Sequence, residues 1–187
     1  MVKRLLVSGY KSSELGIFKK DHPGIHIIKT AIERKLRELL DENVLEWVIT
    51  SGQVGVEHYV CEVVFQLQID YPELKLAILP PFLNQEERWN EETKEYYNFI
   101  LEQADFVKSI TDRNYEGPWQ FKAKNKFLLD NTDGLLLVYD DEKEGSPKFL
   151  KREADERMKD GYSFFIINAY DLQAIAENIQ EEQRTDW

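Results

Sequence analysis

Residues 45–70 read LEWVITSGQVGVEHYVCEVVFQLQID, and the fold follows from them. LEWVITS, over 45–51, is rich in bulky and β-branched side chains and predicts a strand. Gly52 and Gly55 then punctuate the chain. From Val56 onward the apolar positions Val56, Val60, Val63 and Leu67 recur at helical spacing, so VEHYVCEVVFQLQID predicts a helix. The unit is strand, tight turn, helix. Its turn matches neither a Walker loop nor the GxGxxG fingerprint. A carboxylate, Glu57, stands just inside the helix.

The same alternation extends in both directions. VKRLLVSGY (2–10) predicts a buried first strand, followed by a polar loop through Gly24. A helix then carries Ile25, Ile28, Ile32, Leu36, Leu39 and Leu40 on one stripe. LKLAILPPF (74–82) is a strand stopped by Pro80 and Pro81, and NEETKEYYNFILEQA is a helix N-capped by Asn90. DFVKSIT predicts a fourth strand, WQFKAKNKFLLDNT a helix, and DGLLLVYD a central strand. SPKFLKREADERMKD predicts a helix with Ser146 at its N-cap and Pro147 at its first position. YSFFIINA is the sixth strand and DLQAIAENIQ the last helix. Continuous apolar strands alternating with helices define a single doubly wound α/β domain, its mainly parallel sheet covered by helices on both faces. The domain is expected over 1–180, with a charged tail over 181–187.

Composition narrows the function. The chain has 187 residues, enough for one sizeable core, and 42% of them are hydrophobic against 32% charged. No apolar run approaches the roughly 20 residues that span a bilayer, and a cytoplasmic protein is expected. The lone cysteine, Cys61, can form no internal disulfide and cannot build a zinc site by itself, so no metal is expected. The formal net charge of −11 argues against a nucleic-acid partner. The clearest basic cluster, KAKNK at 122–126, is short, although a local patch of that kind can hold one small phosphate.

In doubly wound folds ligands bind beyond the carboxyl ends of the strands, near the point where strand order reverses. Three strand ends are suited to an anion: Ser8-Gly9-Tyr10, Ser51-Gly52-Gln53-Val54-Gly55, and the loop after Tyr139-Asp140 that delivers Gly145 and Ser146 to a helix start. Glycine permits close backbone approach, and helix N-termini present unpaired N–H donors. Glu57 lies at the edge of its helix's apolar stripe. It is placed to hold a ribose hydroxyl or act as a general base, or only to complement the helix dipole. His58 and Glu62 are expected as a surface pair on the polar side. Cys61 is expected to flank the core. Arg113 is a candidate clamp for phosphate or carboxylate, unless it is simply solvated. Asn125 interrupts an apolar stripe and must tie down a loop or line a pocket; the loop role is the preferred expectation. Tyr115 and Trp119 are expected in the core, with stacking on a base as the alternative.

Four ordered motifs, SGYKSSELGIF, ITSGQVGVE, TDRNYEGPWQFKAKNKF and TDGLLLVYDDEKEGSPKF, cover nearly the whole chain and resemble the YpsA family. That family lies within the Rossmann-like superfamily of the DNA-processing protein A and the lysine-decarboxylase-like phosphoribohydrolases. The resemblance implies a nucleotide-derived ligand, ADP-ribose or an NAD-related compound, and a link to cell division with a protein partner. Gly55 and Glu57 match the family's G-x-E, and Ser51, Gly52 and Gln53 the loop before it. Arg113, Gln120, Asn125, Gly145 and Ser146 match recurrent family positions. The chain departs from the phosphoribohydrolase pattern, lacking PGGxGTxxE and carrying its glutamate one residue closer to the glycine. One helical position turns a side chain by about 100°, which counts against that reaction. The expectation is therefore a ligand sensor that requires no cofactor. An N-glycosidic or nucleotide hydrolase using Glu57 is the first alternative, and a single-stranded nucleic-acid module the second.

Overall fold

The structure is a computed structural model, and it describes residues 1–42 and 44–185. Its elements in chain order are β1 (Arg4–Gly9), α1 (Ser12–Leu15), α2 (Pro23–Asp41), β2 (Trp47–Thr50), α3 (Val56–Asp70), β3 (Lys75–Ile78) and α4 (Glu91–Gln103). There follow β4 (Phe106–Val107), α5 (Trp119–Asp130), β5 (Gly134–Val138), α6 (Lys148–Arg157), β6 (Ser163–Ile167) and α7 (Ala169–Thr185). The strands form one sheet in the order β4-β3-β2-β1-β5-β6, every pairing parallel. Strand order reverses between β1 and β5. This is a Rossmann-like α/β fold.

Each central strand is buried on both faces, which is why its sequence shows no polar alternation. In β1, Leu5 and Val7 join one core with Ile32 and Leu36 of α2, Val60 and Val64 of α3, and Ile175 of α7. Leu6 points the other way, into a second core with Leu128 and Leu129 of α5 and Leu150 and Ala154 of α6. In β5, Leu136 and Val138 serve the first core while Leu135 and Leu137 serve the second.

Local signals set the element ends. Asn90 caps α4 as expected, its side chain accepting from Thr93 N at 2.8 Å. α2 starts at Pro23 behind a cap in which His22 Nδ1 accepts from Gly24 N. Three expectations change. The fourth strand shrinks to Phe106–Val107, both exposed, because an edge strand pairs on one side only. α6 starts at Lys148 with Pro147 at the N-cap, and Ser146 turns its side chain elsewhere. α7 runs on to Thr185, so residues 181–185 of the expected tail are helical, while 186 and 187 lie outside the described residues. Among the described residues no helix is long and apolar enough to cross a membrane.

Candidate functional site

The β2–α3 loop, residues 51–55, is fixed from within. Glu57 is only 5% exposed. Its carboxylate accepts from Ser51 N (3.2 Å), Gln53 N (2.9 Å) and Ser51 Oγ, which lies 3.0 and 2.9 Å from the two oxygens. Hydrogen bonds to an ionised acceptor contribute roughly 1.5–3 kcal/mol each. Two of the loop N–H groups expected to receive a ligand's phosphate, those of Ser51 and Gln53, are thus already paired with the chain's own anion. Gln85 Nε2 donates to Ser51 O at 2.9 Å, and His58 Nε2 lies 2.9 Å from Gly52 O. A carbonyl can only accept, so His58 carries its proton on Nε2.

His58 corrects one expectation. It is buried rather than paired on the surface with Glu62, because α4 and the turn before it cover that side of α3. Its ring stacks on Tyr97 and meets Trp89 and Tyr96 edge-on. Burial pushes its pKa below the ordinary histidine value, with the Gly52 carbonyl and Glu57 working weakly the other way. Cys61 is fully buried in the core and burial raises its thiol pKa, leaving it inert.

The glycines approach this chain's own atoms. Gly55 has φ +116°, and a Cβ there would lie 2.5 Å from Ser12 N and 2.6 Å from Tyr10 O. Close packing lets the loop pair with the end of β1 through a Lys11↔Gly55 bridge and the bond Val56 N to Tyr10 O at 3.1 Å. Gly9 lies against α3, where a Cβ would stand 2.8 Å from Val56 Cγ1.

The third expected loop is latched to the first. Glu14 of α1 accepts from Lys11 N (2.8 Å), Ser146 N (2.7 Å) and Ser146 Oγ (3.0 Å). Tyr10 Oη accepts from Asp140 N at 2.9 Å and shares its own proton between the Asp140 and Lys143 carbonyls. Burial raises the Tyr10 pKa, keeping the phenol protonated as this donation requires. Gly145 lies over the Tyr10 ring. The strand ends at the β1/β5 reversal are therefore bridged by the protein itself.

The open cavity lies one strand away. A cleft of about 720 Å³ sits over the carboxyl ends of β1 and β2, between α2, α3 and the start of α4. Lys11, Lys19, Lys20, Lys29 and Arg88 line it against two carboxylates, Glu62 and Glu92. Lys20 pairs with Glu92 at 2.7 Å and Lys29 with Glu62 at 2.6 Å. Tyr96 also donates to Glu62. Lys11, Lys19 and Arg88 make no ion pair among the described residues. Tyr59, Trp89, Tyr96 and the 81% exposed Phe18 supply aromatic surface. In a chain of net charge −11, this is a cationic hollow with flat apolar walls.

Of the residues expected at the site, Gln53 and Gly55 line this cleft. Ser51, Gly52 and Glu57 form the packed base of its loop. Ser8 and Gly9 end the central strand, and Tyr10, Gly145 and Ser146 belong to the latch. Gln120 is fully buried and anchors the loop before α5, accepting from Glu116 N (2.6 Å) and donating to Thr111 Oγ1 (2.9 Å) and Asn114 O (3.1 Å). That is the task expected of Asn125, which makes no hydrogen bond among the described residues. Arg113 is exposed and pairs with Glu116 at 3.3 Å, the solvated outcome. Tyr115 and Trp119 are 47% and 48% exposed rather than core residues. The cleft's Lys11, Lys19, Arg88 and Trp89 carry no signal of a shared site in the sequence: Lys11 falls within SGYKSSELGIF and the others in polar loops, and spacing does not show that they meet.

A parallel sheet reversing at β1/β5, with an open cleft at the strand carboxyl ends, defines a Rossmann-like α/β domain. The comparisons narrow that class. The model of the YpsA family, described as the YspA SLOG family, matches residues 5–172. The UPF0398 protein of Brevibacillus brevis is 56% identical over 187 residues, covering 100% of this chain and 99% of its own. That of Lysinibacillus sphaericus is 56% identical over 183 residues, covering 97% of this chain and 100% of its own. A Bacillus cereus relative is 53% identical over 184 residues, 97% of each chain. The chain belongs to the YpsA family.

Proposed function

We propose that this protein binds a nucleotide-derived ligand, ADP-ribose or an NAD-related compound, in the cationic cleft and acts as a sensor. One observation carries the reading: three cationic side chains without ion-pair partners among the described residues, Lys11, Lys19 and Arg88, line one hollow of an acidic protein together with aromatic walls. Phosphates match the cations and a base matches the rings. The cleft's volume falls within the range usual for small-molecule sites. Occupancy would bias the surface formed by α4 and the segment carrying Phe18, and so a protein partner. The family resemblance suggests cell division as the process.

The rival, a glycosidic hydrolase with Glu57 as base, is disfavoured by the same geometry. A general base must reach the proton it abstracts, whereas Glu57 is buried and already accepts from Ser51 and Gln53.

Calorimetric titration with ADP-ribose, NAD and AMP tests the reading in wild type and in the double variant Lys19→Ala/Arg88→Ala, whose side chains are exposed and leave the core intact. Binding to wild type that weakens at least about tenfold in the variant is expected, in line with the loss of charge-assisted bonds. A ligand at 100 times its Kd should also stabilise the fold by roughly 2.7 kcal/mol. No binding to wild type, or equal affinity in the variant, would sink it. Product formation from any of these compounds would favour the hydrolase.

A further inference from the structure

The opposite face of the sheet carries an unmatched cation. Gln120, Lys124 and Leu128 occupy successive i, i+4 positions on α5 and therefore share one side of the helix. Gln120 is 0% and Leu128 2% exposed. Lys124, between them, is half-buried, while its neighbours Lys122 and Lys126 stand in solvent. Among the described residues the Lys124 ammonium makes no ion pair and no hydrogen bond. Its Nζ lies 5.9 Å from the centroid of the Phe121 ring. Desolvation by burial lowers its pKa, and the charges that act on it are Glu57, Lys11 and Glu153. Glu57 is already saturated by the β2–α3 loop. The adjacent Asn125 is only 9% exposed, and its amide is likewise unpartnered among the described residues.

Topology places this pair over the strand ends. α5 links the carboxyl end of β4 to the start of β5, so it runs antiparallel to β1. Leu128 packs in the same core as Leu6. Four residues back from Leu128 is Lys124, a step of about 6.0 Å along the helix axis. Two residues on from Leu6 is Ser8, a step of about 6.6 Å in the same direction. Strand alternation turns Ser8 to the α5 face, as it does Leu6 and Tyr10. Lys124 thus lies above Ser8. Ser8 and Gly9 are partly exposed although β1 is the central strand, which marks an opening at that point.

We infer that Lys124, Asn125 and Ser8 form a second anion subsite, on the α5 side of the strand ends, that takes a single phosphate or carboxylate group. A half-buried ammonium without a partner gains from an acceptor that replaces its lost hydration, and the Asn125 amide beside it has free donors to offer. A tetrahedral or planar anion supplies acceptors to all three. The group has two possible sources, a free anion or the terminal phosphate of a nucleotide whose body lies in the cleft across the β2–α3 loop. Lys11, which lines that cleft and also acts on Lys124, lies between the two regions.

The test is calorimetric titration of inorganic phosphate and of AMP at matched ionic strength into wild type, Lys124→Met and Arg88→Ala. Phosphate should bind Lys124→Met at least about tenfold more weakly than wild type, as loss of a charged donor implies. AMP weakened in both variants would assign the subsite to a nucleotide's phosphate, and AMP weakened only in Arg88→Ala to a free anion. Equal phosphate binding by wild type and Lys124→Met overturns the inference, as does no phosphate binding by wild type. Should Lys124→Met fail to fold, wild-type protein with ¹³C-methylated lysines serves instead. The Lys124 resonance is expected to shift on adding phosphate, and a fixed resonance refutes the subsite.

Discussion

Two loops of this protein use the same device in opposite settings. In each, one glutamate accepts from two backbone N–H groups and one serine hydroxyl: Glu57 from Ser51 N, Gln53 N and Ser51 Oγ, Glu14 from Lys11 N, Ser146 N and Ser146 Oγ. Glu57 acts within six residues and is buried. Glu14 reaches across 132 residues to an exposed serine. Hydrogen bonds made in a dry interior keep their electrostatic strength, while those at the surface compete with water and are screened by salt. The first loop is therefore a fixed wall of the cleft. The second is a fastening that can open at small free-energy cost.

Substitutions should separate the two. The largest effect belongs to Gly55→Ala. Its Cβ would meet Ser12 N at 2.5 Å in a backbone conformation that L-residues rarely adopt, so a loss of about 3 kcal/mol or more is expected in urea denaturation, from strain and overpacking together. A loss under about 1 kcal/mol would mean that the loop yields and is no fixed wall. Next comes Glu57→Gln, which keeps the shape but turns an all-acceptor group into one that also carries donors. About 2 kcal/mol should be lost, against well under 1 for Glu14→Gln at the surface. Equal losses from these two would dissolve the contrast.

A third probe uses pH. The His58 pKa is lowered by burial, so the unfolded chain binds the proton more readily than the native one. Stability is then complete above the unfolded histidine value, about 6.5, and declines as pH falls below it. His58→Gln, which can keep the bond to Gly52 O, should flatten that part of the stability profile in denaturation between about pH 7 and 5. The smallest effect is dynamic. Glu14→Gln should raise hydrogen exchange at Asp140 N and Ser146 N while leaving Gln53 N protected.

Much of this architecture was legible in the residues. Continuous apolar strands can only be buried on both faces, and that observation alone led to a parallel, doubly wound sheet. The β2–α3 turn was visible because glycines and a carboxylate stand at a strand end. What the sequence hid was the direction of each side chain. Glu57 was open to ligand-gripping, catalytic and dipole roles, yet its carboxylate turns back onto its own loop, a contact that spacing does not reveal. His58 took the polar side of a helical wheel, but α4, from a distant part of the chain, covers that side. The cleft is assembled from four segments separate in sequence, so no local pattern announces it. Lys124 belongs to a basic run in the sequence, and its half-burial distinguishes it from the exposed Lys122 and Lys126.

The central position of β1 has a consequence for biosynthesis. Its partner on one side, β2, follows within 50 residues, but on the other side it pairs with Gly134–Val138. At a translation rate of about 5–20 residues per second, the open edge of β1 waits on the order of ten seconds for the chain that closes it. Through most of that interval Leu6 lacks the neighbouring strand and the helix α5, and α6 follows only after β5. A chain stalled before residue 134 would leave one edge of the hydrophobic β1 open, the kind of edge that recruits chaperones or other strands. Nascent chains released before and after β5 emerges should differ sharply in protease resistance.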